Sequence, residues 1–226
     1  MSERENILGR IREALKNPTH VHTPSAPTCG TPASGTARQW LPAVGATHDE
    51  QLELYRANCE ALKAEFHLIA GREELQARTR ALRDSEGWKR VAAHNGPMAR
   101  STAEALGIST IITDIGYDRN ELERCDVGIT ECDALVAQTG SVLVTSHSAG
   151  GRALSCLPPH HIVVSRASQL VADLPAAFEL LQQKYAANYP SMISFITGPS
   201  RTGDIERILV LGAHGPKRLT IFCLKD

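Results

Sequence analysis

The 226-residue chain lacks any long apolar run; nothing in it approaches the roughly 20 consecutive apolar residues that a membrane helix needs. Its N-terminus, MSERENILGRIREALKNP, mixes charges with apolar residues and has no uninterrupted apolar core of the secretory kind, so the expected compartment is the cytoplasm. An excess of one charge is missing as well. With a formal net charge of −1 there is no bulk electrostatic attraction to nucleic acid or to an anionic membrane. The six cysteines, Cys29, Cys59, Cys125, Cys132, Cys156 and Cys223, form no C-x-x-C pair. Iron–sulfur and structural zinc sites draw on such pairs because a short loop aims both sulfurs at one metal. Neither a metal site nor a cofactor is therefore expected in this chain, and the thiols read as buried and free. The Gly-Lys-Ser/Thr ending of a P-loop and the G-x-G-x-x-G of a dinucleotide fold are also absent.

What is present is ordinary globular material, 42% hydrophobic and 22% charged, of a length that supports one sizeable core. Residues 2–16 space Ile7, Leu8, Ile11, Ala14 and Leu15 along one helical stripe, with Ser2 and Glu5 as a capping box and Pro18 as the stop. Residues 17–47 alternate Pro18, Pro24, Pro27, Pro32 and Pro42 with small residues and read as a linker. His20 and His22 lie within it without a third ligand. Residues 1–47 are thus expected as a helix and linker, and 48–226 as one α/β domain. In that domain, helices at 49–64, 72–84, 98–106 and about 175–187 alternate with short apolar runs. The runs fall at 66–70, 88–93, 108–113, 127–130, 141–145, 161–165, 193–197, 208–211 and 219–224. Such alternation predicts a sheet with helices on both faces.

Four stretches carry residues suited to chemistry. In Gly128–Ser146 a strand leads into Thr130, Glu131 and Asp133, and a helical or turn stretch then reaches Thr139-Gly140-Ser141. Gly140 permits close approach of a ligand or a positive φ, with hydroxyls on either side. In Thr145–Pro159, Gly150 and Gly151 precede Arg152, whose guanidinium can hold a carboxylate or phosphate through two parallel bonds. The neighbouring His147, His160 and His161 show no ligand spacing and read as surface or packing residues. Phe195–Glu206 runs a strand into Gly198-Pro199-Ser200-Arg201-Thr202, where backbone N–H groups, hydroxyls and a guanidinium form a candidate anion cradle. Asp204 there either caps a helix or takes a proton. In Val210–Leu219, His214 stands between small residues and beside Gly215, a setting that suits a loop histidine with a function.

Together these stretches resemble the lactate-utilisation (LUD) domain family. The resembling residues are G-I-T-E-C-D with the following Thr139-Gly140-Ser141-Val142, then G-R-A-L-S-C-L-P, I-T-G-P-S-R-T-G-D-I-E and G-A-H-G-P. The match covers residues 120–226 well and 1–16 loosely. It implies a fold similar to the sugar-phosphate isomerase and CoA-transferase-like α/β group. It also implies a place in a system that oxidises L-lactate to pyruvate, whose partner subunits are iron–sulfur proteins carrying the clusters. The family usually has an acidic residue before the [ST]-G pair; this chain has Gln138, which hydrogen-bonds but cannot accept a proton near neutral pH.

Two functional readings follow. One is a non-redox subunit that binds a small carboxylate or its partners. The other is a stand-alone enzyme that holds an anion with Arg152 or Arg201 and moves protons with Glu131, Asp204 or His214. A purely structural reading treats the Gly-Pro-Ser and His-Gly-Pro turns as sheet connections.

Overall fold

The computed structural model describes residues 3–16, 41–202, 210–212 and 214–225. The chain divides into two units, Met1–Leu41 and Pro42–Asp226. In the first, α1 spans Glu3–Lys16 where the apolar spacing predicts a helix, with Ile7 and Leu8 exposed. Ser2 of the capping box, His20, His22, Cys29, Asp204 and Glu206 lie outside the described residues. Among the described residues no helix is long and apolar enough to cross a membrane.

The second unit begins with α2 (His48–Ala61), β1 (Glu65–Ile69), α3 (Arg72–Glu86), β2 (Arg90–Ala93), α4 (Pro97–Ala105) and β3 (Ser109–Ile112). It continues with α5 (Arg119–Glu123), β4 (Val127–Thr130), β5 (Ala134–Val136), β6 (Ser141–Thr145), β7 (His160–Arg166) and β8 (Leu170–Val171). Last come α6 (Leu174–Tyr185), β9 (Ile193–Ile196), β10 (Arg201–Thr202), β11 (Val210–Leu211) and β12 (Arg218–Leu224). Local chemistry sets several of these boundaries. Thr47 and Glu50 form a reciprocal capping box at the start of α2, and Asp173 accepts from the Ala176 amide at the start of α6. Gly87, at φ 69°, ends α3 in the left-handed region that a glycine enters without strain.

Six strands form one parallel sheet in the order β1-β12-β7-β4-β2-β3. A parallel sheet is covered on both faces, which demands near-continuous apolar runs. The central strands meet that demand: β12 is buried from Leu219 to Leu224 and β7 from His160 to Ser165. On one face, Leu75 of α3 and Ala99 and Ala103 of α4 pack on Val91, Val127 and Ile162. On the other, Val163 and Ile221 meet Leu52, Tyr55 and Cys59 of α2 and Leu135, Val142 and Val144 of a smaller sheet. That smaller sheet runs β8-β5-β6-β9, and α6 closes its far side through Ala177 and Leu181.

Two expectations need correcting. The stretch read as helical or turn between Glu131 and Gln138 contains β5, which pairs antiparallel with β6 through Leu135↔Val142. Three residues are too few to show a strand's alternation, and only the pairing with β6 reveals them. Cys156 is exposed, not buried, whereas Cys59, Cys125, Cys132 and Cys223 are buried.

Candidate functional site

Beyond β9 the chain turns through Thr197-Gly198-Pro199-Ser200. Gly198 has φ +84°, and a Cβ there would stand 3.0 Å from the Leu62 carbonyl, so glycine suits both the turn and the close approach. β10 then pairs antiparallel with β11, Arg201 opposite Leu211. The Gly212 amide donates to the Ser200 carbonyl and the Ser200 amide to the Pro216 carbonyl, both at 2.9 Å. The Gly198–Thr202 motif and the nearby Gly212 and Pro216 are thereby stitched into one wall. Facing that wall are His161 of β7, Leu219 of β12, Ser194 and Ile196 of β9, Met192, and Ser155 and Cys156. Between them lies a cleft of about 250 Å³. Its described lining holds no carboxylate, lysine or arginine. The polar groups are hydroxyls, the Cys156 thiol and the imidazoles of His161 and His214. Apolar walls with a few convergent donors and acceptors suit a small oxygen-bearing ligand.

The most buried polar group in the cleft is His161, 1% exposed. Its Nε2 lies 2.9 Å from the Thr130 hydroxyl, and its Nδ1 meets no protein partner. Burial pushes its pKa down to about 3, with His160 adding to the effect, so the ring is neutral at physiological pH. A second polar line reaches the cleft through Thr197: Thr139 Oγ1 lies 2.7 Å from Ser141 Oγ, which lies 2.8 Å from Thr197 Oγ1.

The residues singled out in the sequence divide accordingly. Gly198, Ser200, His214 and Gly215 line the cleft. Thr139 and Ser141 stand behind it and act through Thr197. The Thr202 backbone pairs with Val210 in the wall. Arg201 turns away, its guanidinium donating to the Leu62 carbonyl at the end of α2. Gly140, at φ +64°, is approached by Asn58, whose Cβ would be 2.8 Å from an added Cβ; Asn58 Nδ2 donates to the carbonyls of Ala137 and Gln138. The close neighbour that Gly140 permits is thus a helix. Gln138 donates to the Pro42 carbonyl at 3.3 Å. Arg152 donates to the Ser191 carbonyl at 2.7 Å, bracing the turn before Met192.

Glu131 lies elsewhere, at the carboxyl ends of the strands. Its Oε1 accepts from the Met98 amide at 2.8 Å and the Ala99 amide at 3.2 Å, capping the positive end of α4, and sits 3.8 Å from His94 Nε2. His94 accepts from the Gly96 amide through Nδ1. Gly96 and Gly150 close this corner tightly: an added Cβ would come within 2.3 Å of the His94 ring at Gly96 and 2.4 Å of Thr113 Oγ1 at Gly150.

Sequence reasoning read His161 as a surface or packing residue and named Asp133 without giving it a role. The available signal for His161 was a polar residue at an inward position of an otherwise apolar strand. Asp133 is fully buried, with Lys184 Nζ at 2.5 Å and Tyr185 Oη at 2.6 Å. Burial pushes its carboxyl up, but the bonds from Lys184 and Tyr185 outweigh that and hold it below the ordinary aspartate value.

The geometry defines an α/β protein in which a parallel sheet is backed by a smaller, largely antiparallel one, with a cleft walled by both. A crystal structure of a DUF162 family protein from Deinococcus radiodurans has the same fold, with a TM-score of 0.61 and 21% identity over 80% of this chain and 99% of that one. The LUD domain model matches residues 52–224, and the chain belongs to the LUD domain family. Among curated relatives, the lactate utilization protein C of Anoxybacillus flavithermus is 28% identical over 97% of this chain and 94% of its own length. That of Shouchella clausii is 30% identical over 80% of this chain and 82% of its own. In Halalkalibacterium halodurans, lactate utilization protein C is 39% identical over 46% of each chain.

Proposed function

We propose that this chain acts in L-lactate utilisation in the cytoplasm as a non-redox subunit. It holds a small carboxylate in the cleft, while partner iron–sulfur proteins carry the electrons. The observation that carries this reading is the cleft itself. The Leu-Ser-Cys, Thr-Gly-Pro-Ser and His-Gly-Pro segments of the family pattern supply Ser155, Thr197, Gly198, Ser200, His214 and Gly215 to one lining. Relatives over nearly the whole length are named for lactate utilisation, which supports the pathway. Hydroxyls, neutral imidazole and the mouth residue His214 provide hydrogen bonds for a carboxylate without a buried fixed charge. The stand-alone enzyme reading is less well supported, because both arginines it relies on are engaged with backbone carbonyls, Arg152 with Ser191 and Arg201 with Leu62.

The test is complementation with a biochemical control. In a lactate-utilising bacterium whose own protein C gene is deleted, this chain restores growth on L-lactate, and a Ser194→Trp variant that fills the cleft restores it poorly. The purified chain alone reduces no artificial electron acceptor with L-lactate and associates with the iron–sulfur subunits when they are added. Lactate oxidation by the isolated chain would overturn the non-redox assignment.

A further inference from the structure

A neutral imidazole carries one N–H and one lone pair, and which nitrogen holds the proton depends on the partner of the other. At His161 that partner is the Thr130 hydroxyl, 2.9 Å from Nε2. A hydroxyl serves as donor or acceptor by rotating about its C–O bond. If Nε2–H donates to Thr130 Oγ1, Nδ1 offers a lone pair; if the Thr130 hydroxyl donates to Nε2, Nδ1 offers a proton. Nδ1 is the atom of this ring without a protein partner, and the ring is 1% exposed in the wall of the cleft. Among the described residues Tyr55 Oη, His94 Nε2, Thr113 Oγ1 and Asp133 Oδ2 are also buried without a partner, but of these residues His161 alone lines the cleft, where a ligand can supply the missing bond. The Thr197 hydroxyl, at the cleft end of the line through Ser141, can reverse in the same way.

We propose that His161 reads the oxygen on carbon 2 of a bound small acid and takes it equally well as a hydroxyl or as a carbonyl. A C–OH group donates to the Nδ1 lone pair in one tautomer, and a C=O group accepts from Nδ1–H in the other. The cleft therefore accepts a 2-hydroxy acid and the 2-oxo acid related to it, whichever redox state arrives, without changing charge. His161 is a binding residue here, and Thr130 positions its proton. The inference rests on the reading above that the cleft holds a small carboxylate. Burial keeps the ring from protonating in the physiological range, so selection by tautomer is available where selection by charge is not.

The experiment is calorimetric titration of the full chain with sodium L-lactate, sodium pyruvate and sodium propionate, which has the carboxylate but no oxygen on carbon 2. L-lactate and pyruvate are expected to bind within about threefold of each other, and propionate about tenfold more weakly, the loss of one buried hydrogen bond. His161→Phe should bring L-lactate down to the level of propionate. Thr130→Val should separate L-lactate from pyruvate, and Thr130→Ser, which keeps the hydroxyl, should restore parity. Propionate binding as tightly as L-lactate to the unaltered chain would overturn the role of His161 and leave the carboxylate cleft standing. A tenfold or larger preference between L-lactate and pyruvate, by the same conversion of about 1.4 kcal/mol per decade, would overturn the tautomer argument. Absence of binding by all of the acids would overturn the carboxylate reading itself.

Discussion

At the carboxyl ends of β2, β3 and β4, where open parallel sheets ordinarily take ligands, Glu131, His94, Thr113 and Asp114 crowd around Gly96 and Gly150. The room is so small that an added Cβ at either glycine would meet a neighbour at 2.3–2.4 Å. At the amino ends of β7 and β12, by contrast, His161 and Leu219 face a cleft of about 250 Å³. Both regions combine histidine, hydroxyls and glycine turns. In the Glu131 corner the carboxylate caps α4 and His94 Nδ1 accepts an amide, while the two side-chain atoms without a hydrogen-bond partner, His94 Nε2 and Thr113 Oγ1, stand where a ligand has no room. In the cleft, the deepest imidazole keeps an atom free. The difference shows that residue type does not identify a binding site; unsatisfied hydrogen-bonding capacity next to open volume does.

The largest expected effect is on stability against pH. His160 and His161 are held down at about 4 and about 3, in both by burial first, then by Arg218 for His160 and by His160 for His161. The unfolded chain therefore binds protons first as pH falls. Their contribution is complete at neutral pH and drains away from about pH 6.5 toward about pH 4, at about 1.4 kcal/mol per unit for each ring, or about 4 kcal/mol by pH 5 for the two. His67 and His94, also lowered by burial, act in the same direction. Urea denaturation at pH 7, 6 and 5 should show this slope, and the double variant His160→Gln with His161→Gln should flatten it.

Next comes the corner itself. Gly150→Ala puts a Cβ 2.4 Å from His94 Cβ and Thr113 Oγ1 at a φ of +60°, and should cost about 3 kcal/mol and lower Tm by about 9 °C. Carboxylate affinity in the cleft should be unchanged; if it falls with stability, the two regions are coupled and the contrast between them breaks.

Asp133→Asn should cost about 2 kcal/mol, held to that size because Lys184, its ionic partner, is half exposed. The lowered carboxyl contributes stability above about pH 3.8 and loses it as pH falls through the folded value, so thermal melts of the two proteins should converge only in acid.

The smallest effect is expected at Arg201. Arg201→Ala removes one bond to a carbonyl at the exposed end of α2 and should cost less than about 1 kcal/mol, with L-lactate binding retained. Loss of binding would restore the anion cradle that the sequence suggests and place Arg201 in the cleft.

Much of the fold was legible beforehand. β4, β6, β7, β9 and β12 stand out as apolar runs and are found within a residue or two of their expected bounds. β5 and β8 did not, because strands of two or three residues have no period of their own and exist through pairing with β6 and with each other. The site was legible in part. Gly198, Ser200, His214 and Gly215 were marked by turn chemistry and do line the cleft. Arg201 carried the right chemistry but turned away, and His161 looked like core because it stands at the head of an apolar run.

The amino-acid sequence by itself determined the α/β class, the buried parallel strands and the places where helices start and turns bend, because these follow from apolar periodicity and local backbone sterics. Tertiary structure alone decided which polar atoms are left over for a ligand. His161 is tied to Thr130, 31 residues away, and Arg201 to Leu62, 139 residues away. No local pattern encodes such partners, since a hydrogen bond depends on where two distant groups meet in space.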